Sequence, residues 1–115
     1  MKGTYIFDTW FVPEKEITPS ETVYKDGTYD GVGFGIGYGN GDDIPVSVVV
    51  EGGKVAEVII GNHNETPNLG GAAIKYLAGR VVEANGVEGV DAVGSATISS
   101  NGFLSAVREA LEQAI

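Results

Sequence analysis

The sequence predicts one α+β domain, in which an antiparallel β-sheet packs against two helices. The first observation is a β-hairpin over 46–60, where two apolar strands flank the turn-forming pair Gly52-Gly53. The second is helical spacing of apolar residues from about Leu69 to Asn85 and again from about Gly102 onwards. The third is length, because 115 residues can bury one hydrophobic core but not two.

The first 20 residues differ in composition from the rest, and we treat 1–20 as a strand and linker segment that precedes a domain at 21–115. The stretch 12–20 contains two prolines and mixed charge without a helical period, which is typical of a linker. The stretch 4–12 is aromatic, and it predicts an edge strand or a cover for an apolar patch. Its aromatic residues are Tyr5, Phe7, Trp10 and Phe11.

Glycine occupies every second position from Gly31 to Gly41. Because alternate residues of a strand point to opposite faces, one face of this strand is bare backbone. The bare face predicts close packing of another strand or helix, or a sharp bend, and a flat ligand ring is a second option. The opposite face is an apolar row that suits a core, formed by Val32, Phe34, Ile36 and Tyr38.

The hairpin is apolar on both faces if Glu51 pairs with Lys54. One predicted face carries Val46, Val48, Val50, Val55 and Ile59, and the other carries Val49, Ala56, Val58 and Ile60. We therefore expect helices to cover one face, and other strands, the aromatic N-terminus or a ligand to cover the second.

Two helices follow the hairpin. The first has Ile74, Leu77 and Val81 on one stripe, and Gly86 is placed to end it. In the second, the residues at helical spacing are Leu104, Val107, Leu111, Ala114 and Ile115. Both stripes predict core packing.

Charge and composition exclude several classes of partner. Sixteen acidic against seven basic residues give a net charge of −9, which disfavours nucleic acid and anionic bilayers. The absence of cysteine excludes disulfides, thiolate metal ligands and iron–sulfur clusters. No signal peptide or membrane span is predicted, so we expect no direct membrane insertion by this chain. The compartment stays open: extracytoplasmic for a domain of an exported or membrane-anchored protein, otherwise cytoplasmic.

The junction before the last helix predicts an anion site. Small residues at 94–97 leave the backbone open, and Ser99, Ser100 and Asn101 are good N-cap residues. The first turn of a helix offers backbone N–H groups to a negative group, so a phosphate would fit there.

The same stretch, Asp91-Ala92-Val93-Gly94-Ser95-Ala96-Thr97, resembles the attachment motif of the FMN-binding domain family. That family includes the C subunit of sodium-pumping NADH:quinone reductase and the G subunit of Rnf-type complexes. Its usual motif is Asp-x-x-Ser-Gly-Ala-Thr, in which a flavin transferase esterifies the final Thr to the FMN phosphate. Three further blocks occur in family order, at 24–29, 51–54 and 64–67. The resemblance therefore covers about the last three quarters of the chain.

The resemblance implies FMN as cofactor, with its phosphate at or near Thr97, bonded covalently or held reversibly. Glu65 and Thr66 would then lie near the isoalloxazine, Leu69 and Gly70 would form an apolar wall, and Asp91 would orient the loop or be read by the transferase. The implied cofactor contacts are Asp91, Gly94, Ser95, Ala96, Thr97, Ser99, Ser100, Glu65, Thr66, Leu69 and Gly70. The implied partners are a flavin transferase and redox proteins, as in a membrane-associated complex.

Other interpretations of these residues stay open from sequence. Glu65 could be a solvated loop carboxylate, and Asp91 could make an Asx-type turn. The inverted order Gly94-Ser95 favours a ligand-free structural module that keeps the fold. A small flavin reductase would need a proton donor, and the sequence singles out none. His63 alone does not predict a metal site, because transition-metal sites gather several N or S ligands.

Overall fold

The computed structural model describes residues 18–37 and 41–115. Three strands form an antiparallel sheet in the order β1-β2-β3, and two helices follow them, which confirms the predicted α+β fold. The predictions for a linker and an aromatic strand before residue 18 lie outside the described residues. The elements are β1 (Gly27–Gly35), β2 (Asp42–Glu51), β3 (Lys54–Ile60), α1 (Gly70–Ala84) and α2 (Thr97–Glu112).

Helix α2 lies directly against the bare backbone of β1. A Cβ atom at Gly31 would overlap the carbonyl oxygen of Ala106, and one at Gly33 would overlap that of Gly102. The predicted close packing of a helix on the glycine face is therefore confirmed. Because α2 covers Gly31 and Gly33, a flat ligand ring has no room on that part of the strip.

The apolar row of β1 was expected in the core, and this prediction is wrong. Val32, Phe34 and Ile36 are 54%, 69% and 42% exposed. The helices pack on the glycine side of the strand, and no described element covers the other side. Tyr38, the fourth member of the row, lies outside the described residues.

The hairpin forms around Gly52-Gly53 as predicted, and both glycines have positive φ, 63° and 81°. Its core face contains Val46, Val48, Val50 and Val55, all buried as predicted.

The prediction for the last three residues of β3 is wrong. An irregularity between Val49 and Val50 shifts the register, so that Val58 pairs with Val48 and Ile60 with Val46. Val58 and Ile60 consequently pack against the core, whereas Ile59 is 45% exposed. The helices cover only one face of the sheet in the described part of the chain.

Helix α1 buries its predicted stripe, since Ile74, Leu77 and Val81 are fully buried. It ends at Ala84, and Asn85 takes a left-handed conformation before Gly86. The Asn85 side chain links β3 to residues 20–22, because it accepts from the Val55 N–H and donates to the carbonyls of Ser20 and Thr22.

Helix α2 also buries its predicted stripe, except for Ile115. Leu104, Val107, Leu111 and Ala114 are buried, but Ile115 follows the helix and is exposed. Within the described residues, neither α1 nor α2 is long and apolar enough to cross a bilayer.

Two side chains, one from Glu109 of α2 and one from Gln113 just after it, bond to the backbone of β1 on the side that faces away from β2. Glu109 Oε1 accepts from the Val32 N–H at 2.8 Å, and Gln113 Nε2 donates to the Asp30 carbonyl at 2.7 Å. The α2 segment therefore packs on the glycine face and also bonds to the edge of β1 with which no other described strand pairs.

Candidate functional site

Helix α2 begins at Thr97, five residues before the start predicted from sequence. A short 3-10 turn, Gly94–Ala96, runs directly into the helix, and the Ala96 N–H donates to the Val93 carbonyl. Ser99, Ser100 and Asn101 therefore lie inside the helix, and the prediction that they cap it is wrong. The residue at the N-cap is Ala96, and no side-chain oxygen caps the helix.

The N-terminus of α1 lies beside that of α2. A Cβ at Gly70 would crowd the Ser99 side chain, so glycine lets these two helix starts approach each other. Helix α1 also lacks a side-chain cap, although the Thr66 carbonyl accepts from the Gly71 N–H at 2.7 Å. Two helix N-termini, each carrying partial positive charge, thus meet at one place.

A cavity of about 410 Å³ opens where the helix starts meet. Among the predicted contacts, it brings together Thr66, Leu69, Gly70, Ser95, Ala96, Thr97 and Ser99. It also takes in Ile36, Gly37 and Ile98, which sequence reasoning missed. Glu65, Ser100, Asp91 and Gly94 do not line this cavity.

The rim of this cavity combines a hydroxyl with apolar walls. Thr97 is exposed, and its Oγ1 donates a long bond of 3.3 Å to the Gly94 carbonyl. Leu69 and Ile98 are 54% and 55% exposed, so both present apolar surface there. The volume lies within the usual range for small-molecule sites. An uncapped helix start beside apolar walls fits a molecule with a phosphate at one end and a flat ring at the other.

Glu65 is neither a solvated carboxylate nor a residue of the cavity lining. It is only 3% exposed. Its Oε1 accepts from the Ser99 hydroxyl and, at 3.3 Å, from the Ile36 N–H, and its Oε2 accepts from the Gly37 N–H at 2.8 Å. These partners belong to two different parts of the cavity wall, the segment that follows β1 and the start of α2, so Glu65 fixes the wall from behind.

Ser100 has a comparable supporting role. It is fully buried, and its Oγ accepts from the Val93 N–H at 3.1 Å. This bond fixes the segment that leads into the 3-10 turn. The backbone around Thr97 is therefore held from the protein interior, while the Thr97 side chain stays accessible.

Acidic and polar groups connect the start of β2 to the loop after β3. Asp42 Oδ2 accepts from the Asn64 N–H at 2.9 Å, and the Glu65 N–H donates to His63 Nδ1 at 3.0 Å. A hydrogen bond with the Glu65 side chain is the main cause that lowers the pKa of Asp42, and burial opposes it. The described residues contain no group of three or more metal-ligating side chains.

A second cavity, of about 520 Å³, lies on the other side of Leu69 and Ser95, which line both cavities. Its walls come from one face of α1 and from the segment 89–93, so Asp91 lies here. The guanidinium of Arg80 stands 5.9 Å from the centre of the Tyr76 ring and pairs with Glu83 at 3.0 Å.

Comparison with known proteins identifies the family. The family model of the FMN-binding domain matches residues 37–112, which is more than half of the chain. No protein of curated function matches the chain. The matched range contains both helix starts and the residues of the 410 Å³ cavity except Ile36. The chain therefore belongs to the FMN-binding domain family, and its cofactor is FMN.

Proposed function

We propose that this domain is an electron-transfer unit that holds FMN with the phosphate at Thr97 and the ring in the 410 Å³ cavity. One observation carries the proposal: an accessible hydroxyl stands at the start of an uncapped helix, at the mouth of a cavity with apolar walls.

The phosphate end is supported by the start of α2. Backbone N–H groups and the helix dipole favour a negative group at an N-terminus, and no side chain competes for the position. A Cβ at Gly94 would meet nothing within 4 Å, so the preceding turn leaves open space for an approaching group.

The ring end is supported by apolar side chains that face water. Leu69, Ile36 and Ile98 are each more than 40% exposed and line the same cavity. A flat aromatic ring that covers them removes this surface from water, at about 25 cal/mol for each Å² buried. Bound FMN supplies the redox chemistry, and the chain orients it and limits the access of water.

A phosphoester at Thr97 is the covalent form of this proposal. It needs a flavin transferase and an activated flavin nucleotide as donor. The bond from Thr97 Oγ1 to phosphorus forms while the bond from phosphorus to the leaving nucleotide breaks, and the hydroxyl proton passes to a base of the transferase. The exposure of Thr97 gives the transferase access to this oxygen.

An electron-transfer role is favoured over a flavin reductase by the residues that line the cavity. They include no carboxylate, imidazole, amine or phenol. The nearby Glu65 carboxylate is buried behind the wall and already accepts three hydrogen bonds. A reductase needs a proton donor beside the ring, and the described lining offers no acidic group for this role.

The test is co-expression of the chain with a flavin transferase, followed by intact mass under denaturing conditions. We expect a gain of one FMN in the unchanged chain and none in Thr97→Ala, while the control Thr28→Ala, which alters an exposed strand residue, gains FMN normally. FMN on Thr97→Ala would contradict attachment at this residue. Colour lost on denaturation would indicate reversible binding, and no FMN under either condition would favour the ligand-free module that the order Gly94-Ser95 suggests.

A further inference from the structure

An exposed apolar strip leads away from the FMN cavity along the joint of β1 and α2. Val32 and Phe34 of β1 and Ile98 of α2 line a shallow groove of about 570 Å³ together with polar side chains of α2. Ile98 also lines the FMN cavity, and Ile36 continues the row of β1 into that cavity. Single exposed apolar residues are ordinary, but a contiguous patch marks a surface for association.

Charge limits what can cover this groove. Asp43 lies in its lining, and Asp42 and Asp43 both adjoin Phe34 on the side away from α2. The whole chain carries a net charge of −9. An occupant therefore needs apolar side chains for the centre of the groove and basic side chains for its border. Acidic proteins and anionic bilayers do not meet this requirement.

From this placement we propose that the groove is the docking surface for the redox partner of the bound FMN, a protein whose apolar patch is bordered by lysine or arginine. The inference rests on the proposed function, and it adds the partner's chemistry and the place where it binds. Because Ile98 belongs to both the groove and the FMN cavity, a protein seated on the groove lies beside the cofactor. Electron transfer between two proteins requires such a short distance between the donor and acceptor groups.

The binding test uses the apo domain, so that it does not depend on FMN loading. A basic c-type cytochrome serves as the partner probe and is titrated into the ¹⁵N-labelled domain at low salt. We expect the largest shift changes at residues 32–36 and 98–102. The double variant Val32→Ser/Phe34→Ser should weaken binding about tenfold or more, because apolar side chains at the centre of an interface carry most of its affinity.

Ile59→Ser is the matched control, since Ile59 is an equally apolar, 45% exposed residue of the same sheet and does not line the groove. It should bind as the unchanged domain does. Asp43→Asn should weaken binding less than the double variant and should reduce its salt dependence. Equal binding by the double variant and by Ile59→Ser, or shift changes centred on another surface, would overturn the proposal.

A kinetic experiment uses the FMN-loaded domain, which is first reduced and then mixed with the same cytochrome. The second-order rate constant should fall about tenfold in the double variant at unchanged FMN content, because docking controls the encounter. Failure of FMN loading would count against the proposed function, whereas normal loading with no loss of rate would count against the docking surface.

Trp10 fluorescence tests whether the chain's own N-terminal segment occupies the groove. Trp10 is the single tryptophan of the chain, so its emission reports on that segment alone. We expect identical emission in the unchanged domain and in Val32→Ser/Phe34→Ser. A red shift in the double variant would mean that the N-terminal segment covers the groove, and it would overturn the proposal of a partner protein.

Discussion

The two faces of strand β1 show that side-chain hydrophobicity does not by itself decide which face of a strand is buried. The face of Gly31, Gly33 and Gly35 is buried, whereas the face of Val32, Phe34 and Ile36 is exposed. The glycine face attracts α2 because backbone can approach backbone there, at a distance that any side chain would prevent. Close packing replaces side-chain volume on this face.

Both faces lead to the 410 Å³ cavity but contribute to it differently. On the glycine face, a Cβ at Gly35 would lie 2.6 Å from Glu65 Oε2, so glycine makes room for the carboxylate that supports the wall. The apolar face ends at Ile36, which lines the cavity itself. One strand thus supplies a rigid support on one side and an accessible surface on the other.

The largest effect should come from a side chain on the glycine face. In Gly33→Val the new atoms overlap the backbone of Gly102, so α2 must move, and we expect a loss of about 3 kcal/mol or more in the free energy of unfolding. Chemical denaturation followed by circular dichroism measures it. Gly79→Ala is the control: its Cβ meets nothing within 4 Å, and alanine should stabilise α1 by about 0.5–1 kcal/mol. Unchanged stability of Gly33→Val would refute the close packing.

The next effect should come from the bond at the end of the glycine face. Ser99→Ala removes a donor from the buried Glu65 carboxylate, which costs about 1–3 kcal/mol. It should also move the amide resonances of Ile36 and Gly37 in the apo domain and weaken the retention of FMN. Ser105→Ala, an exposed change in the same helix, should stay within about 0.5 kcal/mol. Equal effects of the two variants would argue against Glu65 as a support for the wall.

A small effect is expected on the exposed face. Phe34→Ser should alter the free energy of unfolding by only about 0.5 kcal/mol, because the ring is 69% exposed. Paired with Gly33→Val, it compares neighbouring residues on opposite faces in the same denaturation assay. A loss of about 2 kcal/mol or more would show that another part of the protein buries this ring.

The smallest effect concerns pH, at the place where β1 faces the start of β2. The lowered pKa of Asp42 means that its carboxylate stabilises the folded state above the unfolded value, about 3.9, and that this contribution disappears as pH falls through the folded pKa. The stability difference between the unchanged domain and Asp42→Asn should therefore be constant above about pH 5 and decrease in more acidic solution. Unfolding curves at several pH values measure it, and a difference that grows toward acid would contradict the assigned direction.

Periodicity was sufficient to predict the hairpin, the two helices and their buried stripes, because these depend on local spacing. It could not predict that the apolar face of β1 stays exposed, since tertiary contact decides whether a second face is covered. Nor could it place Ile59, because one register irregularity near Val49 reverses the faces beyond it.

The candidate site divides in the same way. Thr97 with the preceding Ser95 and Ala96, and the pair Leu69-Gly70, could be identified from sequence, and all of them line the cavity. The roles of Glu65 and Ser99 could not, because their partners lie far away along the chain. Three consecutive cap-type residues also suggested a helix start at Gly102, yet two of them are buried and bonded to other segments.

The bonds from Glu109 and Gln113 to β1 have a consequence for self-association. An unpaired strand margin is a template on which a second molecule can add its own strand, and this is a common start of aggregation. Here the Val32 N–H and the Asp30 carbonyl are already engaged, so that template is interrupted in the middle of the strand. Val32 and Phe34 can therefore stay exposed on β1 while the addition of a strand from a second copy of the chain at this edge is disfavoured.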